Sequence, residues 1–134
     1  MTVKELSQLY RLNREIEEGQ KRLDDLRLKV SSPSGSNLSG VPGGGHSFES
    51  RLERLCAEII DLESIVAHRQ QMCIHERNRL ERYIQGIPDS LTRQIFTLRF
   101  INGLNWVQTA DHIGGGNTDV SVRQRVYRYL KSTK

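Results

Sequence analysis

At 134 residues and 36% hydrophobic content the chain is too short for several domains, and 27% charge with only 6% aromatics is lean for one round globule. Elongated helices, or one small domain with an appendage, suit this composition. The formal net charge of +4 is unevenly placed: residues 1–86 hold 13 Lys/Arg against 13 Asp/Glu, whereas 87–134 hold 7 against 3, which points to a polyanionic partner for the C-terminal block.

The 2 cysteines make no disulfide framework, MTVKELSQLY lacks the apolar core of a signal peptide, and no stretch approaches a membrane-spanning run. The expectation is a protein of the reducing cytoplasm with no membrane contact. From Thr2 to about Val30, Leu9, Leu12, Ile16, Leu23, Leu26 and Val30 recur at helical spacing, with Gly19 in the one weak slot. This pattern predicts a coiled-coil seam on a long helix. SSPSGSNLSGVPGGGHS then strings together Ser, Gly and Pro, which predicts a flexible loop over 31–47. A second seam starts near Phe48 and runs through Leu52, Leu55, Ile59, Leu62, Val66, Cys73, Leu80 and Tyr83. Neither helix buries its stripe alone, so an antiparallel helical hairpin over 1–86 is expected; a homodimer sharing the two stripes is the alternative.

QGIPDSLTR ends the second helix, because Gly86 terminates it and Pro88 disfavours helix at Ile87. Three shorter helices are predicted over 87–134. The first runs from about Ser90 to Phe100, with Leu91, Ile95 and Leu98 on one face, and stops at Asn102-Gly103. The second runs from about Trp106 to Ile113 behind an Asn105 cap, with Trp106, Val107, Ala110 and Ile113 inward. The third runs from about Asp119 to Ser132 behind Thr118, with Val122, Val126, Tyr129 and Leu130 inward. The fold class is therefore all-α: an antiparallel coiled-coil hairpin followed by a three-helix domain.

GGGNTD follows a helix, not a strand, and carries no lysine, so it fits neither a nucleotide-phosphate loop nor a dinucleotide fingerprint. A turn between two packed helices answers better, with Gly114 in the left-handed conformation and the small Ala110 allowing close approach. On the third helix the polar side chains then share a face with no acid to neutralise them. In a recognition helix such residues meet base edges and phosphates. Ser121, Gln124, Arg125 and Arg128 are the candidates for the major groove, and Asn117, Thr118, Arg123 and Lys131 for phosphates, helped by the positive N-terminal end of the helix.

The stretch LRFINGLNWVQTADHIGGGNTDVSVRQRVYRYL resembles the DNA-binding end of phage late-gene transcription regulators of the ArpU and RinA kind, and more broadly the promoter-reading fourth region of sigma factors. The upstream segment with LSGVPGGG is similar to a related phage-protein family, so the resemblance spans nearly the whole chain. It implies a helix-turn-helix regulator of phage or prophage late genes, such as packaging or lysis genes, that binds double-stranded DNA. The groove-facing positions it implies are Ser121, Gln124, Arg125 and Arg128, although the turn from Gly114 to Thr118 is longer than in the compact motif. Two other readings stay open: a packaging protein like a terminase small subunit, and a coiled-coil adaptor contacting RNA polymerase.

Other chemistry finds little support. Cys56 and Cys73 lie ~25 Å apart on one predicted helix and share no ion within a chain, so no metal or other cofactor is expected. The acid pairs Glu17–Glu18 and Asp24–Asp25 sit on a solvated helix, where neighbours point apart, so no enzymatic activity is expected. Trp106 reads as core, sharing a face with Ala110 and Ile113.

Overall fold

A computed structural model describes residues 1–31 and 44–133, the side chains of 44–47 excepted. Among the described residues every regular element is helical. The helices are α1 (Val3–Leu6), α2 (Gln8–Ser31), α3 (Gly44–Gln85), α4 (Ser90–Phe96), a π-helical turn (Thr97–Ile101), α5 (Trp106–Ile113) and α6 (Asp119–Ser132). The loop expected over 31–47 lies mostly at 32–43, outside the described residues; Ser31 still belongs to α2, and α3 already begins at Gly44. The single helix expected from Thr2 is broken at Ser7, whose hydroxyl donates to the Val3 carbonyl at 2.8 Å and competes with the helical backbone.

Contacts divide the chain into two compact units, Arg14–Gln71 on one hand, and Met1–Asn13 with Met72–Lys134 on the other. Within the first, Leu23, Leu26, Leu62 and Val66 form a buried cluster, with Ile16, Leu55 and Ile59 packed against it. Gly19 is buried where α2 meets α3, and a Cβ placed there would lie 2.6 Å from Val66 Cγ2. The glycine in the weak slot is thus the residue that admits Val66. Glu15 meets Arg69 at 3.5 Å and Arg27 meets Glu63 at 3.1 Å, so residue numbers fall along α3 as they rise along α2 and the two segments run antiparallel. Phe48, expected to open the α3 seam, is exposed.

In the other unit one core joins both ends of the sequence. Leu6, Leu9, Leu80 and Ile84 are buried together with Ile87, Ile95, Phe96, Phe100, Ala110, Val122, Val126 and Leu130. Phe96 lies at the meeting point, with ring centroids 6.3 Å from Tyr83, 5.5 Å from Phe100 and 5.6 Å from Tyr129. This core crosses the border expected at Gly86, because the apolar stripes of the short helices are covered by the ends of the long ones. The helix expected over Ser90–Phe100 widens after Phe96 into the π-helical turn, which buries Leu98 and Phe100.

One inward face differs from expectation. Val107 is 56% exposed, and Thr109, fully buried, takes the place given to it. Trp106, Thr109, Ala110 and Ile113 are related by the helical period, whereas Val107 stands about 100° from Trp106. The Thr109 hydroxyl stays satisfied by donating to the Asn105 carbonyl at 2.8 Å.

Full burial of each large aliphatic side chain contributes about 1.5–3 kcal/mol, so losing Leu6, Leu9, Leu80 and Ile84 removes an amount comparable to the whole stability of a small domain. A fragment spanning 87–134 is therefore expected to be unfolded by circular dichroism at 25 °C. Cooperative thermal unfolding of that fragment would show that the short helices hold a core of their own.

Candidate nucleic-acid interface

The turn that aims α6 is built from backbone conformations open to glycine. Gly114, Gly115 and Gly116 have φ of 70°, 63° and 79°. Each would cost an L-residue roughly 1–2 kcal/mol, so three in succession account for the triple glycine. Gly114 has ψ −153°, so it ends α5 in the mirror-extended region and not in the left-handed helical conformation expected. Its N–H still donates to the Ala110 carbonyl at 2.9 Å, continuing the helical pattern by one bond. Asn117 closes the turn, donating from Nδ2 to the Gly114 carbonyl at 2.8 Å.

α6 starts on a reciprocal cap. The Thr118 hydroxyl accepts from the Ser121 N–H at 3.1 Å, and the Ser121 hydroxyl accepts from the Thr118 N–H at 2.9 Å. Val122, Val126 and Leu130 bury one face against the core, and Tyr129 is half-buried beside them. The opposite face is exposed along Ser121, Gln124, Arg125, Arg128 and Lys131.

Of the eight residues expected to face DNA, Asn117, Ser121, Gln124, Arg125 and Arg128 line one open groove of about 540 Å³, together with Asp89, Thr92, Tyr129 and Ser132. Thr118, Arg123 and Lys131 are not on its lining. Arg123 is half-buried and, by helical phase, lies beside the Leu130 edge. The side chains of Asn117, Thr118 and Ser121 are already engaged in the turn and the cap. Gln124, Arg128 and Lys131 make no side-chain hydrogen bond or ion pair among the described residues.

The groove also holds an acid, contrary to the expectation that none neutralises this face. Asp89 caps α4: its Oδ2 accepts from the Thr92 N–H at 3.0 Å and from the Thr92 hydroxyl at 2.6 Å. The same oxygen accepts from Arg125 Nη1 at 3.1 Å. These contacts, the Thr92 hydroxyl first, then the Thr92 N–H and the charge of Arg125, hold the carboxyl below its ordinary value of 3.8. The D-S-L-T spacing carries the cap signal in the sequence, but the ion pair spans 36 positions and has no local signature.

No protein-family model, curated protein or solved structure matches the chain. Among the described residues no helix is long and apolar enough to cross a membrane, and no group of three or more His, Cys, Asp or Glu side chains is placed to hold a metal ion. The chemistry of the α6 face therefore has to be read from its own geometry: two guanidinium groups, one ammonium and one amide on a helix anchored from behind.

A Cβ at Gly114 would meet nothing within 4 Å, so Gly114→Ala should act through the backbone alone and destabilise the fold by about 1–3 kcal/mol in urea unfolding. Unchanged stability would show that the turn does not need a positive φ there. Asp89 makes a second prediction. Its folded pKa is depressed, so its contribution is present above the ordinary value of 3.8 and is lost as pH falls through the folded value. Asn also caps helices but has no carboxyl to titrate. Asp89→Asn is therefore expected to flatten the acid side of the thermal-stability profile as pH falls through and below the ordinary value of 3.8. An unaltered acid slope would exclude Asp89 as a source of it.

Proposed function

We propose that the chain is a sequence-specific regulator that binds double-stranded DNA through the exposed face of α6. The observation that carries this reading is the set of Gln124, Arg128 and Lys131, which project together from a rigidly seated helix and have no polar partner among the described residues. Charged and amide groups left in solvent on one face suit a partner that supplies phosphates and base edges together. In this reading α5, the glycine turn and α6 act as a helix-turn-helix. α2 and α3 act as an antiparallel coiled-coil hairpin that presents it or dimerises.

Roles differ along α6. Gln124 and Arg128 face base edges, where glutamine pairs with adenine and arginine with guanine, and Lys131 holds a phosphate. Arg125 reaches the groove already oriented by Asp89, so it is a directed donor more than a mobile counter-charge. Asn117, Thr118 and Ser121 support this surface by fixing the turn and the cap. The protein has no catalytic role in this reading, and no metal or cofactor. The resemblance to phage late-gene regulators supplies the biological setting, a promoter of packaging or lysis genes with RNA polymerase as a further partner.

The test is a fluorescence-anisotropy titration of the full chain on duplex DNA flanking its own coding region. Affinity should fall steeply with salt, with a log–log slope of about −0.9 for each phosphate neutralised. Lys131→Ala should reduce that slope by about one and weaken all sequences alike. Gln124→Ala and Arg128→Ala should each cost about 1–3 kcal/mol on the preferred sequence, and less elsewhere. Absence of binding at ~50 mM salt would sink the proposal. The oligomeric mass, measured alongside, separates a monomeric or dimeric regulator from the ring expected of a packaging protein. DNA-independent activity that survives Arg125→Ala with Arg128→Ala would instead favour a polymerase adaptor.

A further inference from the structure

Away from α6, a cavity of about 420 Å³ lies within the unit formed by Met1–Asn13 and Met72–Lys134. Leu6 and Tyr10 wall it from α1 and α2, Phe100 from the π-helical turn, and Asn105 and Gln108 from the start of α5. Arg99 is the one charged side chain on its lining, and no acid is present there.

Several arginines meet no carboxylate among the described residues, and of these Arg99 is set apart by a buried guanidinium nitrogen without a partner. Arg27, Arg69, Arg77, Arg79 and Arg125 each meet a carboxylate at 3.5 Å or less. Arg99 meets none among the described residues: its Nη1 donates to the Leu104 carbonyl at 2.9 Å, its Nε is buried without a partner, and its guanidinium lies 4.8 Å from the centre of the Trp106 ring. The buried Nε is shielded from the cavity as well as from water, so the cationic group is partly desolvated, which strengthens its attraction for an anion at its remaining accessible edge. Arg99 also sits within the π-helical turn, a widened backbone form found frequently at functional sites.

The amides beside it are oriented as donors. Asn105 Oδ1 accepts from the Gln108 N–H at 2.7 Å, and Gln108 Oε1 accepts from the Asn105 N–H at 3.0 Å. Both oxygens are thereby engaged, leaving the two NH2 groups as the free ends. One cation without a carboxylate partner and two amide donors meet at a cavity whose lining is completed by Leu6, Ser7, Tyr10, Phe100 and Gly103. We infer that this cavity binds a small molecule carrying an oxyanion, phosphate or carboxylate, on an aromatic or apolar body. The oxyanion pairs with Arg99 and the amides, and the body lies against Tyr10 and Phe100. The volume exceeds what an inorganic anion fills and falls in the range of small-ligand pockets. The ligand bridges the N-terminal helices and α5, so its binding is felt at the element that precedes the glycine turn. The inference does not depend on DNA binding by α6.

Trp106 is the single tryptophan of the chain and stacks on Arg99, so its fluorescence reports on the site directly. The full chain is titrated with phenyl phosphate, and with phenol as the uncharged control. A saturable change in emission below ~10 mM phenyl phosphate is expected, with none for phenol. Arg99→Gln should abolish the response. Because that change also removes the stack on Trp106, Gln108→Glu provides the second variant: glutamate keeps the reciprocal cap of α5 while placing a negative charge at the cavity. It should bind at least ~tenfold more weakly, with an unchanged circular dichroism spectrum. No saturable change in the unaltered chain, equal binding by the folded Gln108→Glu variant, or a response to duplex DNA but not to phenyl phosphate would overturn the inference.

Discussion

The short C-terminal helices depend on apolar surface brought from far away in sequence. α4, α5 and α6 each have one buried face, and a helix of eight residues such as α5 has almost no stability of its own in water. Leu6 and Leu9 from the start of the chain, and Leu80 and Ile84 from the end of α3, complete the core that those faces line. The orientation of α6 is therefore fixed by a cluster centred on Phe96, and its cationic face points outward because Val122, Val126 and Leu130 have nowhere else to go. Stability and presentation of the candidate surface are one problem in this unit.

This dependence explains what could be read along the chain and what could not. The starts of α5 and α6 were legible because capping is local: Asn105 and Thr118 each stand three residues before a side chain that returns the hydrogen bond. The apolar positions of α6 and of α2 were legible because burial follows the helical period. The triple glycine was legible as a turn because it separates two one-faced helices, although the mirror-extended form of Gly114 is set by how the next residues must run and leaves no trace in residue type.

Other features arise only from contact across the fold. The π-helical turn after Phe96 carries no sequence signal, since its residues would serve an α-helix equally well. Val107 reads as core by hydrophobicity, and Thr109 reads as surface by polarity; the fold reverses them because a threonine hydroxyl can bond back into its own helix while its methyl group packs. The pairing of Arg125 with Asp89 was out of reach for the same reason, as was the crossing of the border at Gly86 by the core.

The constraints on α6 also narrow how a DNA-reading surface would work. At its N-terminal end the positive helix end is partly offset by Asp119 in the first turn, and the side chains of Asn117, Thr118 and Ser121 are engaged in holding the turn. An anion approaching that end meets a carboxylate and hydroxyls already in use. One turn later the balance changes: Gln124, Arg128 and Lys131 are exposed, and Arg125 is held by a carboxylate that α4 needs for its own cap. Because the Asp89 oxygen serves Thr92 and Arg125 together, moving Arg125 to a new acceptor leaves the α4 cap intact, whereas moving Asp89 disrupts both. The Asp89 side of the groove thus keeps its cap whether or not Arg125 stays paired. If α6 reads DNA as proposed, the contacts that distinguish one sequence from another would fall in the middle of the helix, not at its start.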